Sequence, residues 1–459
     1  MWLPDITAGR GPVYLAIAAA IAADIAAGRL KTGDRLPPQR LLAERLGLDH
    51  TTVTRAYTEA RRRNLVEARV GQGTFVRGMA VPDRPRAAAA PLQVDMSMNQ
   101  PPPPDDPALL AWLDAGPPAG LAWMRYPGAA EAEADRAAGI GWLAGRLPGA
   151  GADRVVVCPG VQGALTALLT SLTRPGDLIY AEDLTYPGII AAAGQFGLRL
   201  KGVAVDRDGI DPDAFADLCA TQAPRLLYCS PTLHNPTTAV MPLARRQALV
   251  AVARRHGVAI VEDDIYGPLL ADGPPPLAAL APDLVHHVAG LSKCVSPALR
   301  LAYLVTPEGR QAARLAQGLR ATALMAAPLT ARLATRWIAD GTAAALRDGV
   351  RREAMARQAM ARQAMAAARL PAGRFVAARP EAFHLWLDVG PDWTRAAFAA
   401  HLRGRGITLA AADAFAIGGT TPEAVRVCLG AAADRRELAL VLDHLAEALA
   451  FPAPGATVI

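Results

Sequence analysis

The stretch GLSKCVSPALRLAYLV, residues 290–305, holds one of only three lysines in the chain, although Lys and Arg together number 48. The other two are Lys31 and Lys201. Wherever a positive charge alone is needed, the sequence uses arginine. Arginine cannot serve as a nucleophilic amine, whereas a partly desolvated lysine can form an imine with a carbonyl. Lys293 is therefore either a remnant of a biased composition or a reactive amine, and its surroundings must decide.

Reading outward from it, short β-rich runs alternate with Ala/Leu-rich helical stretches. The strand candidates are RVVVC, DLIYAE, RLLYCSP, VAIVEDD, VHHVAGLS and LAYLVTP. Strands separated by helices predict an α/β fold with a mainly parallel sheet covered on both faces. In such sheets ligands bind at the carboxyl ends of the strands. Asn235, Asp263 and Lys293 each follow a strand candidate and so fall at that edge.

This constellation resembles the fold-type I pyridoxal 5'-phosphate (PLP) domain of aminotransferases, over roughly residues 95 to 450. The resemblance implies that Lys293 is the Schiff-base lysine and that Arg300, seven residues on, binds the cofactor phosphate. It assigns Asp263 to the pyridine nitrogen, Tyr266 and Asn235 to the phenolic oxygen, and Tyr186 in EDLTYPG to stacking on the ring. Arg426 in VRVCLG matches an arginine that clasps a substrate carboxylate. The residue types suit these tasks. A carboxylate keeps the ring nitrogen protonated, and a forked guanidinium fits a carboxylate or phosphate better than a point charge does. CPGVQGAL opens a helix after a strand, so the amides around Val161 and Gln162 can cradle a phosphate, with Ser292 beside the lysine. Gly290 and Val161 stand where the family often has hydroxyls, and the segment after YP is altered. The phosphate is therefore expected to rely more on Arg300, on backbone amides and on the partner subunit's Tyr126.

Charge divides the chain unevenly. The formal net charge is +6, and the first 78 residues hold 12 of the cationic and 7 of the acidic side chains. A small basic unit joined to a large near-neutral one points to a polyanion-binding module. Leu15, Ile17, Ile21 and Ile25 recur at near-helical spacing before Gly28. A second helical stretch, QRLLAERLG, closes at Gly47. Asp49 then stands as a cap before a third, whose apolar face is Val53, Ala56, Tyr57 and Leu65. VEARVGQGTFV supplies two short strands around a Gly-Gln-Gly turn, completing a winged helix-turn-helix.

This region resembles the DNA-binding domain of the GntR regulators in its GDRLP, TTV and GQGTFV motifs. The resemblance implies that Arg35, Arg40, Thr51, Thr52 and Arg55 face double-stranded DNA. It also implies that Gly73 lets the wing approach a phosphate and that His50, where the family often has arginine, takes part in recognition. Arg61 to Arg63 read as a solvated helix end.

Residues 1–78 are thus the expected DNA-binding domain, 79–94 a linker rich in proline and alanine, and 95–459 the effector domain. NQPPPPDDP, from Asn99, is expected to lead into the latter along its surface. The apolar run Val13 to Ala23 is too short to span a bilayer and lacks the layout of a signal peptide. Five scattered cysteines without a CxxC pair fit free thiols in the cytoplasm better than disulfides or a metal site,.

The combination of head and body resembles the MocR-type bacterial regulators. It implies a cytoplasmic homodimer that binds DNA, holds PLP and senses an amino acid, an amine or a PLP vitamer. Two other readings remain open at this point. The chain could be a working aminotransferase with a regulatory head, or a regulator whose body only dimerises, although the full residue set around Lys293 argues against the latter.

Overall fold

Three helices and a hairpin make up the head of the computed structural model, which describes residues 2–4, 12–26, 29–30, 33–62, 65–69, 73–76, 92–106, 126–222, 224–367 and 379–451. The chain divides into two compact units, residues 1–90 and 91–459. Gly28, Lys31, Arg63, Gly71, Gln72 and most of the expected linker lie outside the described residues.

In the head, α1 (Val13–Ala26), α2 (Gln39–Leu46) and α3 (His50–Arg62) precede antiparallel β1 (Val66–Arg69) and β2 (Gly73–Val76). Gly47 ends α2 at φ 63°, a left-handed cap that non-glycine residues adopt at a cost,. Two residues later the Asp49 carboxylate accepts from the Thr51 N–H at 2.8 Å, capping α3 as its position predicts,. Ile17, Ile21, Leu42, Val53, Ala56, Tyr57 and Val76 close a small core. Tyr57 Oη donates to the Pro37 carbonyl at 2.8 Å, tying α3 to the turn before α2. The result is the expected winged helix-turn-helix.

The body is built on seven strands: β3 (Val155–Cys158), β4 (Leu178–Glu182), β5 (Arg199–Val203), β6 (Leu226–Cys229), β7 (Ala259–Asp263), β8 (Val285–Gly290) and β9 (Ala302–Val305). Their order across the sheet is β3-β9-β8-β7-β6-β4-β5, and all but β9 run parallel. Six of the seven coincide with the runs read from sequence. The seventh, β5, is RLKGV on the sheet edge, where arginine and lysine blunt an open strand and dilute its apolar signal,. Helix α4 (Gly160–Leu172) follows β3 directly. Strands β4, β6, β8 and β9 are buried along their whole length, as expected for a sheet covered on both faces,.

A second sheet, which the sequence reading did not anticipate, places β12 (Ala424–Cys428) between β10 (His384–Asp388) and β11 (Ala410–Ala411). It packs with the long helix α5 (Thr342–Ala367) and α6 (Arg435–Ala450) around a separate apolar cluster that includes Leu385, Val425, Val427, Leu442 and Leu445.

The proline-rich stretch does not run along the surface. Asn99 is 5% exposed, and Pro101, Pro102 and Pro104 are buried. The short strand Val94–Asp95 pairs with Ile407–Thr408, and Met96 O accepts from Cys428 N at 3.0 Å. Gln100 N donates to Cys428 Sγ at 3.1 Å. A proline brings no N–H that burial would strand, so the chain can follow its prolines inward. At the crossing with Gly430 there is no room for any side chain, because a Cβ would stand 1.9 Å from Gln100 O.

Candidate functional site

The carboxyl edge of the main sheet gathers the polar residues. Asp263 is the last residue of β7, Lys293 lies three beyond β8, and Asn235 and Tyr186 follow β6 and β4. Because β9 alone is antiparallel, its amino end lies at this same edge and brings Arg300 there, two residues before Ala302. One reversed strand thus adds a guanidinium to the row of strand ends.

Strand β7 is clamped so that Asp263 faces the edge. Successive side chains alternate faces. On the other face, Arg146 makes two bonds to Asp264 at 2.6 and 3.0 Å, and Glu262 accepts from the N–H groups of Leu277 and Ala278 at 2.8 and 2.9 Å. Asp263 itself accepts from Tyr228 Oη at 2.9 Å and from Ile265 N at 3.2 Å. Burial pushes its carboxyl up to about 6, against the lowering effect of the Tyr228 bond. It is still mostly ionised at pH 7. Tyr228 was not anticipated from the sequence, where it reads as one more residue of a buried strand.

Lys293 is half-buried, and burial brings its amine down to about 8, with the charges of Arg426 and Arg300 acting in the same direction. Its Nζ donates to the backbone carbonyl of Asn99. Arg426, on β12 and 5% exposed, donates through Nη1 to Asn235 Oδ1 at 2.6 Å and through Nη2 to the Ser97 carbonyl. Its guanidinium lies 4.8 Å from the Phe415 ring centroid, and its Nε has no partner. Buried Tyr266 accepts from Asn99 Nδ2 at 2.8 Å, leaving its own hydrogen free to donate. Asn99 is thus a second site residue that the sequence reading missed, since a proline-rich patch reads as surface.

At the opposite end, Gly160 begins α4 at φ 73°, and a Cβ there would stand 3.5 Å from Arg300 Nη2. An exposed guanidinium therefore lies close to a helix amino terminus, an arrangement that attracts anions,. The two positions lacking hydroxyls meet each other. Val161 Cγ2 fills the space beside Gly290, 2.7 Å from where a Cβ would be. Ser292 is buried, while Gln162 is half-buried with an unpartnered Oε1. Tyr186 is half-buried, and burial and the Asp263 charge raise its phenol. Tyr126 is 77% exposed.

On the head, Arg35, Arg40, His50 and Gly73 line one concavity. Gly73 has φ 117°, and a Cβ there would meet Arg35 Nε at 2.9 Å. Thr51 is exposed and Thr52 half-buried at the start of α3. Arg55 is not among the lining residues of that concavity, and its guanidinium lies 4.5 Å from the Tyr14 ring centroid. Among the described residues there is no cluster of three or more metal-ligating side chains and no helix long and apolar enough to cross a membrane. All five cysteines are buried and free.

Residues 93–445 match the family model described as aminotransferase class I and II, and residues 13–76 match bacterial regulatory proteins of the gntR family. The HTH-type transcriptional regulator TauR of Rhodobacter capsulatus is 31% identical over 371 residues, covering 70% of this chain and 72% of that one. The probable rhizopine catabolism regulatory protein MocR of Rhizobium meliloti is 28% identical over 328 residues, 64% of this chain and 66% of its own. Among solved structures, an archaeal alanine:glyoxylate aminotransferase superposes with a TM-score of 0.67 at 22% identity, covering 77% of this chain and 90% of that one. LysN, an α-aminoadipate aminotransferase of Thermus thermophilus, gives 0.66 at 23%, covering 78% and 92%. These structural likenesses establish the fold.

Proposed function

Because the chain belongs to the aminotransferase class I and II family over its body and carries a gntR-family DNA-binding head, we propose that it is a PLP-dependent transcriptional regulator of the MocR type. Its ligand is an amino acid, an amine or a vitamer, read at Lys293. The observation that carries this reading is the convergence on one half-buried lysine of Asp263, Tyr266, Asn235, Arg300 and Arg426, in a chain that begins with a winged helix.

The residues fit PLP. A buried carboxylate that stays mostly ionised at pH 7 suits a protonated ring nitrogen, and Tyr228 fixes its orientation. Gly160, the first amides of α4 and Arg300, which lies beside them, would hold the cofactor phosphate,. Tyr266 retains a hydrogen that a phenolic oxygen would accept, and the half-buried Tyr186 would cover a ring face. Bound there, the cofactor would supply an aldehyde to which primary amines add. Lys293, held near 8 by burial, keeps about a tenth of its amine neutral at pH 7, far more than an exposed lysine, and the neutral amine is the nucleophile,. Asn235 holds one arm of Arg426, so the fork is set for a carboxylate before the ligand arrives,. A ligand alters DNA binding only to the extent that it binds two arrangements of the protein unequally.

Completeness of the site favours one alternative, a working aminotransferase with a regulatory head. Purified protein loaded with PLP is expected to show a visible absorption band that borohydride removes and amines perturb. It should give no multiple turnover with amino and keto donors. Sustained turnover would replace the regulator reading with the enzyme reading, and a protein that takes up no PLP would overturn both.

A further inference from the structure

The orientation of the Asn99 amide is fixed by its neighbours. His384 is buried, and burial together with the Arg426 charge pushes it down to about 3, so the ring is neutral. Its Nε2 faces the His234 carbonyl at 3.3 Å, an oxygen that can only accept, so Nε2 carries the hydrogen,. Nδ1 is then an acceptor, and Asn99 Nδ2 lies 3.3 Å from it. The second Nδ2 hydrogen goes to Tyr266 Oη at 2.8 Å. A reversed amide would set two acceptors, Oδ1 and Nδ1, against each other. Both donors of Asn99 are therefore used, and its Oδ1 is left as a buried acceptor without a partner. The backbone carbonyl of the same residue accepts from Lys293, so Asn99 lies between the lysine and Tyr266.

A buried acceptor with no donor costs free energy that a ligand donor recovers. We infer that Asn99 is a specificity-determining residue: its Oδ1 accepts a hydrogen bond from an N–H or O–H group that the ligand carries in addition to its amine and its carboxylate. The inference rests on the regulator reading above and narrows the ligand to amino acids with a hydroxyl, amide or second amine in the side chain. Arg426, with Nε unpartnered, takes the carboxylate, and Asn99 reads the extra donor. A site built to satisfy a donor discriminates strongly against analogues lacking it.

Calorimetric titration of full-length, PLP-loaded protein tests this with three pairs of probes that differ by one donor at increasing reach. They are L-serine against L-alanine, L-homoserine against L-2-aminobutyrate, and L-ornithine against L-norvaline. In at least one pair the donor-bearing member should bind about tenfold more tightly or better. Asn99→Leu, close in size but without an acceptor, should bring that ratio to within about twofold, and Asn99→Ala should do the same. If Asn99→Leu does not fold, a preference kept in Asn99→Ala overturns the inference on its own. Equal binding within all three wild-type pairs, or an unchanged ratio in Asn99→Leu, would also overturn it while leaving the regulator reading intact. Absence of a PLP band would remove both.

Discussion

Arg35, Arg40 and His50 stand exposed on the winged helix, whereas Asn99, Asp263, Tyr266 and Arg426 in the body are each at most 5% exposed. The first group comes from one short stretch of chain and needs no partner but water until a polyanion arrives. The second is drawn from strand ends and loops more than 300 residues apart, and most of its polar atoms are held by one another or by neighbouring buried groups. Solvated cations act singly and are lost singly. A buried constellation acts as a unit, so removing one member disturbs the others.

The sharpest break between the two regions is expected at the lysines. Lys293→Ala should abolish the borohydride-sensitive visible band completely, whereas Lys201→Ala, an exposed residue of the edge strand, should leave it unchanged. A band that survives in Lys293→Ala would detach the cofactor from the constellation.

Arg426→Ala should keep the resting band yet weaken the response to an amino acid by about 1.5–3 kcal/mol, the range for charge-assisted hydrogen bonds. The matching decarboxylated amine should be much less affected. Spectral titration with both ligands checks this, and an equal loss for the two would remove Arg426 from carboxylate binding.

In the head, Arg40→Ala and Thr52→Ala should each weaken binding to a cognate DNA fragment by about 1–3 kcal/mol for a base contact. A phosphate contact would instead lower the salt dependence, reducing its slope by about one. PLP occupancy, read from the visible band, should not change. A parallel loss of cofactor would show that head and body are not separable in this way.

The smallest effect is a pH profile. With the Lys293 amine lowered to about 8, the neutral fraction rises as pH passes through 8. PLP capture by cofactor-free protein should therefore speed up about fivefold from pH 7 to 8 and less than twofold from 8 to 9. An ordinary exposed lysine would give about tenfold at each step. Stopped-flow absorbance separates the two.

The same contrast governs what could be read from sequence. The head's Asp49 cap, Gly47 cap and GQGTFV wing are local signals, each decided within a few residues. Six of the seven main strands announced themselves as short apolar runs between helical stretches, and Asn235, Asp263 and Lys293 could be located because strand ends share an edge, whereas Arg300 was assigned by resemblance alone. Strand β5 was hidden by the charges that protect an edge, and β10 pairs with β12 across an intervening helix and β11, a pairing that no local pattern encodes. Asn99 and Tyr228 escaped for a different reason. Their roles are hydrogen bonds to Tyr266 and Asp263, residues 167 and 35 positions away, and no spacing rule encodes them. Composition also misled at NQPPPPDDP, where proline usually means surface but here lets the chain pass inward without stranded donors.

Under the proposed function, an occupant at Lys293 is expected to change how tightly the head holds DNA. Fluorescence anisotropy with a DNA fragment selected by the purified protein from a random pool measures this directly. Affinity would be compared in wild type and Lys293→Ala, with and without PLP, and with saturating amino acids added to the loaded protein. PLP or one of the amino acids is expected to shift wild-type affinity by about fivefold or more, the usual span of an allosteric coupling, and to leave Lys293→Ala unmoved. The same shift in Lys293→Ala, or no shift in wild type under any of these conditions, would contradict it.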